Sequence, residues 1–281
     1  MEMTVSGFAI VMMAVACVCA FIIPIVLFIY YRKKGADILP FFIGCAVFFL
    51  FALVIESMFH QLILVKSPVG ATIQNNIWLF ALYGGLMAGL FEETGRFVAF
   101  KTVLKKYRGN DKNALMYGAG HGGFEVIAVL GLTMIGNIYL SVLANTGMAS
   151  SLMANAPAEY SATLQSQVDA IAAVAPPMFL LGIVERIFAV TVHIAFSVIV
   201  WFAVKKGRTV LYTVAILFHA LLDGITVIVS KSHIAHAEIV TEICVGVLAV
   251  AIAFFAWKVW VKYSHSENVD EEKENEKEIS G

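Results

Sequence analysis

Hydrophobic residues fall into seven long runs along this chain, and short polar segments separate the runs. An α-helix needs about 20 consecutive apolar residues to cross the hydrocarbon core of a membrane. We therefore predict an all-α polytopic membrane protein in which seven transmembrane helices form a single helical-bundle domain. The predicted spans are residues 5–31, 38–65, 76–100, 114–140, 177–204, 210–229 and 239–261.

The composition agrees with a membrane protein. Of the 281 residues, 60% are hydrophobic and 14% are charged, whereas a soluble domain has about 25% charged residues. We expect the lipid bilayer, and not nucleic acid, as the partner of this chain.

Basic residues cluster at the ends of the first, third, fifth and seventh predicted spans. Lys and Arg next to a span mark the cytoplasmic side of a membrane protein. We therefore predict that the N-terminus lies outside and the C-terminus in the cytoplasm. The transmembrane domain is expected over residues 1–263, with its core motifs in 76–229, and an acidic disordered cytoplasmic tail over 264–281.

The connection between the fourth and fifth spans, residues 141–176, contains no Lys or Arg. Four apolar residues recur in it at helical spacing behind a proline: Tyr160, Leu164, Val168 and Ile171. This pattern predicts an amphipathic helix on the outer membrane surface, with a solvated Ala/Ser loop as the alternative.

Charged residues and histidines in the third, fourth, fifth and sixth spans are the candidates for a functional site. Ionisable groups at membrane depth are costly, and they usually face the bundle interior or a water-filled cavity, where they serve function. In the third span, Glu92 and Glu93 both lie about one helical turn before Arg96. The fourth, fifth and sixth spans contribute the other candidates: His121 with Glu125, His193, and His219 with Asp223.

These groups are predicted to lie at one depth. Counted from the nearest cytoplasmic basic residue, Glu92 and His121 are nine residues into their spans, His219 eleven and His193 twelve. At about 1.5 Å per residue, these positions are about 14–18 Å deep. Unrelated polar residues would scatter through a core that is about 30 Å thick. We therefore expect one polar site to which four helices contribute.

Two further polar pairs are expected to be local. Glu56 and His60 in the second span are four residues apart and lie towards its outer end, which favours a hydrogen-bonded pair over a role in the site. Glu185, next to Arg186, lies about 30 Å from the cytoplasmic end of its helix. An ion pair at the outer face is the expected role there.

Two adjacent carboxylates beside a cation and several imidazoles suit the activation of water. A carboxylate in a low-dielectric site can act as a general base near neutral pH. Arg96 would keep the second carboxylate ionised, and histidines on another helix could donate hydrogen bonds to the oxyanion that forms when water attacks an amide. Asp223 would then orient His219. The chemistry that these residues predict is amide hydrolysis inside a membrane.

Two alternatives use the same residues. His121, His193 and His219 with a carboxylate would make a catalytic zinc site, although the chain has no His-Glu-x-x-His motif. An ion- or proton-coupled transporter would also need intramembrane Glu, His, Asp and Arg residues, but the chain shows no inverted repeat. We favour the hydrolase without a metal because the adjacent glutamates and the arginine explain acid/base chemistry by themselves.

The motifs resemble those of the YhfC-type family of membrane peptidases, which is related to the CAAX prenyl protease-like (Abi/CPBP) and PrsW-like intramembrane proteases. The resemblance spans the third to sixth helices and extends weakly over the rest of the membrane domain. Four ordered elements carry it: Glu92-Glu93-Thr94-Gly95-Arg96, His121-Gly122-Gly123-Phe124-Glu125, Glu185-Arg186 followed by His193, and His219-Ala220-Leu221-Leu222-Asp223.

The resemblance implies a glutamic intramembrane endopeptidase of the bacterial cell membrane that cleaves membrane-bound peptides or proteins. Glu92 would activate water with the help of His121, while His219 and Asp223 would form the oxyanion site, and Glu93 stays an alternative base. No cofactor is favoured, with zinc as the alternative. The candidate catalytic residues are Glu92, Glu93, Arg96, His121, Glu125, His193, His219 and Asp223.

Overall fold

The computed structural model describes residues 4–154, 157–232 and 234–279, and these residues form helices joined by short loops. The predicted all-α polytopic class is confirmed. Seven helices in the described part of the chain exceed 20 residues, and each corresponds to one predicted span. They are α1 (Gly7–Lys33), α2 (Leu39–Val65), α3 (Ile77–Lys101), α4 (Lys112–Asn145), α5 (Pro176–Lys205), α6 (Thr209–Ser230) and α7 (Ala237–Ile279).

Six of these helices are long and apolar enough to cross a membrane: α1, α2, α4, α5, α6 and the part Ala237–Ser264 of α7. The helix α3 has 25 residues, which is sufficient length, but Glu92, Glu93, Arg96 and Lys101 make it less apolar than the others. The number of seven crossings and the orientation of the chain stay predictions.

Two of the long helices contain π-helical turns. In α2 these turns cover Phe49–Glu56 and Gln61–Val65, and in α4 they cover Val126–Gly131. A π-helical turn changes the direction of the side chains that follow it, and such turns occur frequently at functional sites. A pattern based on 3.6 residues per turn cannot predict them.

The chain divides into two compact units, where the sequence predicts a single domain. The first unit consists of Met1–Val26 and Glu125–Ile187, and the second of Leu27–Phe124 and Phe188–Gly281. The boundaries fall inside α1, α4 and α5. Hydropathy indicates where a helix crosses the membrane, but it does not indicate which helices pack together.

In the first unit, a helix at Ala158–Ala173 follows Pro157, as the periodicity predicts. Its residues Leu164, Val168 and Ile171 are buried, whereas Tyr160 is exposed. The loop alternative for this segment is therefore wrong. In the same unit, the Asn145 side chain accepts a hydrogen bond from Val5 N at 2.8 Å and donates one to Val5 O at 2.8 Å.

In the second unit, small residues bring helices close together. A Cβ atom on Gly89 of α3 would lie 2.7 Å from the carbonyl oxygen of Ile216 in α6, so only glycine fits at this crossing. A buried apolar core that includes Phe100, Tyr117 and Trp201 packs beside these helices. This packing fixes the rotation of α3 and α6, and it thereby sets the directions of their polar side chains.

The helix α7 continues to Ile279, beyond the part that is apolar enough for a membrane. The sequence predicts disorder from Ser264 onward, whereas the described backbone of residues 264–279 is helical. Glu and Lys, which are frequent in this segment, have high helix propensity. Residues 280 and 281 lie outside the described part.

Candidate functional site

Within the second unit, polar side chains from four helices meet at one place, which we call the polar cluster. The helix α3 contributes three of them, α4 and α5 one each, and α6 two. All are buried except Asp223, whose side chain is 36% exposed. The members of the polar cluster are Glu92, Glu93, Arg96, His121, His193, His219 and Asp223.

Glu92 lies among the imidazoles of three different helices. Its Oε2 atom accepts a hydrogen bond from His121 Nε2 at 2.9 Å and is 3.7 Å from His193 Nδ1. Its Oε1 atom is 3.9 Å from His219 Nε2. Arg96 Nη2 lies 3.6 Å from Oε2. The Glu92 carboxylate is therefore the group that all three histidines share.

Glu93 has a different environment. Its side chain is fully buried, and its Oε1 atom accepts hydrogen bonds from Arg96 Nη1 and from His219 Nδ1, the latter at 2.7 Å. Because it accepts hydrogen bonds from the Arg96 guanidinium group and from His219 Nδ1, Glu93 is placed to hold these two side chains in position.

Arg96 contacts both glutamates and also His193. Its Nη1 atom bonds Glu93, and its Nη2 atom donates a hydrogen bond to His193 Nδ1 at 2.5 Å. The guanidinium carbon also lies 5.9 Å from the centre of the Phe196 ring, within the range of a cation–π contact. Arg96 is thus held on three sides inside the protein.

Glycines of α4 allow the close approach that brings His121 and His193 together. A Cβ atom on Gly118 would lie 2.6 Å from Ile194 Cα, and one on Gly122 would lie 3.0 Å from His193 Cβ. The two imidazole rings have centroids 5.0 Å apart. The Gly-rich sequence around His121 is therefore required by the packing of α4 against this part of α5.

The polar cluster contains a group of residues that could hold a metal ion. Glu92, His121 and His193 each offer one ligand atom, and these atoms all lie within 4.8 Å of one another. Two histidines and one glutamate are a known ligand set for catalytic zinc, with bonds of about 2.0–2.2 Å. Tetrahedral geometry then separates neighbouring ligand atoms by about 3.3 Å. The observed separations of 2.9 and 3.7 Å lie on either side of that value, so the residues fit a zinc ion.

The zinc alternative raised from the sequence consists of His121, His193 and His219 with a carboxylate. Among the described residues, the group that could hold a metal contains Glu92 as the carboxylate but only His121 and His193 of the three histidines. His219 Nδ1 is engaged by Glu93, while its Nε2 atom faces Glu92 and lies 3.5 Å from Asp223 Oδ2. The i,i+4 relation between His219 and Asp223 therefore brings the two side chains together, as predicted.

Glu125 belongs to the first unit. Its carboxylate accepts a hydrogen bond from Arg186 Nη1 at 2.5 Å, and Arg186 also pairs with Glu185. Glu185 therefore has the ion pair that the sequence predicts. A catalytic role of Glu125 stays a prediction.

Glu56 is a buried carboxylate that the sequence pattern placed in a local pair only. The pair exists, because His60 Nε2 lies 3.2 Å from Glu56 Oε1, and His60 Nδ1 is 2.9 Å from the Tyr83 hydroxyl. Glu56 also interacts electrostatically with His219 and Asp223. Glu56 stands at the end of a π-helical turn, so the direction of its side chain differs from the direction that a regular helical period predicts.

Comparison with known proteins identifies the family. A family model described as YhfC intramembrane metalloprotease matches residues 19–245 of the chain. The chain belongs to this family. The chain is also 34% identical over 259 residues to a protein of Bacillus subtilis (strain 168) described as "Uncharacterized membrane protein YhfC", and the alignment covers 90% of this chain and 97% of the relative. No solved structure matches this chain significantly.

Membership of the YhfC family confirms the resemblance in the motifs and supports an intramembrane protease in the broad sense. The chain is a multi-pass bacterial membrane protein. The family description names a metalloprotease, so the preference for a site without metal has no support from it. Zinc agrees with both this description and the donor atoms of the polar cluster.

Proposed function

We propose that this protein is a zinc-dependent intramembrane endopeptidase that hydrolyses peptide bonds of membrane-associated substrates. The observation that carries the proposal is the convergence of Glu92, His121 and His193, whose ligand atoms lie within 4.8 Å of one another. These side chains are buried in a protein built from membrane-spanning helices. A carboxylate and two imidazoles at membrane depth are costly, so a functional site is the default explanation for them.

Glu92, His121 and His193 would hold the metal ion. When bound, zinc acts as a Lewis acid on the carbonyl group of the scissile bond. The other members of the polar cluster would then orient the groups that move protons.

His219 is the best-placed group for proton transfer. Its Nδ1–H donates to Glu93 Oε1, which leaves Nε2 facing Glu92 and Asp223. A base whose second nitrogen is fixed by a buried carboxylate is the arrangement that orients histidine in hydrolases. His219 Nε2 would accept a proton from water as the water oxygen bonds to the carbonyl carbon. The same nitrogen would return this proton to the amide nitrogen as the C–N bond breaks.

Asp223 supports this role from the accessible side of the cluster. Its Oδ2 atom lies 3.5 Å from His219 Nε2, so its negative charge would stabilise the imidazolium form of His219. Glu93 would stabilise the same form from the buried side. In this assignment Glu92 is a ligand and Glu93 a positioning residue, so neither signature glutamate receives the proton of the water directly.

A second candidate is the glutamic peptidase without a metal. The observation in its favour is the hydrogen bond between His121 Nε2 and Glu92 Oε2 at 2.9 Å, because an oriented glutamate base needs such a donor. In that mechanism Glu92 itself would take the proton from water.

The two candidates are separated by metal analysis combined with a cleavage assay. The purified protein would be reconstituted in liposomes with a set of synthetic single-span peptides, and products would be identified by mass spectrometry. We expect about one zinc ion per chain, loss of cleavage after chelation, and recovery with added zinc. Cleavage that persists in zinc-free protein but is absent from the Glu92→Gln variant would favour the glutamic mechanism.

A further inference from the structure

The hydrogen bond between Arg96 and His193 restricts the state of the imidazole. The guanidinium group carries only donors, so His193 Nδ1 must accept the bond from Arg96 Nη2 at 2.5 Å. In a neutral ring the proton then sits on Nε2. In this arrangement both nitrogens of His193 are occupied, one by the hydrogen bond and the other by the proton.

A metal ion needs the lone pair of one of these nitrogens. If Nδ1 binds the metal, the lone pair that accepts from Arg96 is lost. If Nε2 binds the metal, the ring proton must move to Nδ1, where it faces the donor Nη2. In both cases the hydrogen bond from Arg96 has to break before His193 can act as a ligand.

Arg96 also contacts a second member of the ligand set. Its Nη2 atom is 3.6 Å from Glu92 Oε2, the oxygen that lies closest to both His121 and His193. One positive group therefore touches two of the three residues that would bind zinc. A metal ion bound by Glu92 and His193 would lie next to the guanidinium group, and two cations so close together in a buried site would repel each other strongly. The guanidinium end of Arg96 and the metal therefore compete for the same position.

The structure offers Arg96 another place. Among the described residues, neither Glu93 Oε2 nor Arg96 Nε has a hydrogen-bond partner, and both atoms are buried. Arg96 Nη1 already bonds Glu93 Oε1. A side-on pair between arginine and a carboxylate uses Nε and Nη2, whose N–H groups are parallel. If the guanidinium group rotates so that Nε and Nη2 both face Glu93, this bidentate pair forms, and both free atoms gain a partner at once.

We propose that Arg96 occupies the place of the metal in the metal-free protein and moves onto Glu93 as a bidentate pair when the metal binds. This inference rests on the proposed ligand set of Glu92, His121 and His193. It explains why a second buried glutamate stands beside the first: Glu93 receives the cation that Glu92 and His193 release.

Zinc affinity of purified protein, measured by competition with a chromophoric chelator, tests the inference without a substrate. The double variant Glu93→Gln/Arg96→Met removes the competing cation together with its counter-charge. We expect it to bind zinc about tenfold more tightly than the wild type, because the competent state no longer has to be populated against Arg96. The single variant Glu93→Gln retains Arg96 without its acceptor, and we expect about tenfold weaker binding.

Arg186→Met is the matched control, because Arg186 is a buried arginine paired with two glutamates outside the polar cluster. It should leave zinc affinity unchanged. Wild-type or weaker affinity in the double variant would overturn the inference. Should the double variant fail to fold, an unchanged affinity in Glu93→Gln would overturn it equally. If neither the wild type nor any variant binds zinc, the proposed metalloprotease itself is wrong.

Discussion

His219 Nδ1 donates a hydrogen bond to Glu93 Oε1 at 2.7 Å, and this contact gives Glu93 an environment different from that of the adjacent Glu92. Glu93 has its near oxygen occupied by His219 and Arg96 inside the protein. Glu92 instead faces His121 and His193, the two residues with which it could hold a metal. The sequence leaves both glutamates as candidate bases, and their surroundings favour different tasks for each.

Substituting each glutamate by glutamine should therefore give different results. Residues that only orient metal ligands change affinity by about 10- to 100-fold, and we expect Glu93→Gln to stay within this range. Glu92→Gln removes a charged ligand and should exceed it. Zinc titration of both variants at one pH checks the order. Equal losses in the two variants would contradict the division of roles.

His219→Ala should retain zinc and lose turnover. General acid–base groups contribute about 10²- to 10⁴-fold to rate, so we expect kcat to fall by this factor at saturating zinc. Asp223→Asn, which keeps the shape but removes a charge that stabilises the imidazolium, should have a smaller effect. Measured zinc content accompanies each rate. Loss of bound zinc in His219→Ala would show instead that His219 is a ligand, as the zinc alternative from the sequence has it.

Gly118→Ala should destabilise the protein, because the added Cβ atom would lie 2.6 Å from Ile194 Cα and 3.0 Å from Ser197 Oγ. Overpacking of this kind costs about 1–3 kcal/mol. Gly84→Ala in α3 is the control, since a Cβ atom there meets nothing within 4 Å, and the gain in helix propensity should stabilise by up to about 1 kcal/mol. Thermal unfolding in one detergent compares the two. Similar midpoints would mean that α4 and α5 do not pack as closely as described.

Tyr83→Phe should cost about 0.5–1.5 kcal/mol by removing a hydrogen bond to His60 Nδ1. Because Tyr83 is not a member of the polar cluster, zinc affinity should not change. Unfolding and zinc titration on the same preparation measure both quantities. A change in zinc affinity without a change in stability would show that the Glu56–His60–Tyr83 group belongs functionally to the site.

The sequence predicts well which residues form helices and that polar groups of four helices meet, because hydropathy and distance along a helix are local properties. The directions of individual side chains depend on packing. Neighbouring residues of a helix point about 100° apart, so Glu92 and Glu93 meet different partners once Gly89 has brought α3 against α6. The π-helical turns of its helix likewise change the direction of the Glu56 side chain in a way that a regular helical period does not predict. The inclusion of Glu92 in the ligand group likewise required the positions of α4 and α5.

The ion pair between Glu93 and Arg96 has a consequence for the biogenesis of the protein, because both residues lie on α3 at an i,i+3 spacing. A helix inserted alone into a bilayer has no neighbours that can compensate its charges. The Glu93–Arg96 pair can form within the nascent helix, before α4, α5 and α6 arrive. If α3 crosses the membrane as predicted, its insertion would then require Glu92 to be neutralised in another way, and protonation of this carboxyl group would be sufficient until the histidines of the later helices contact it.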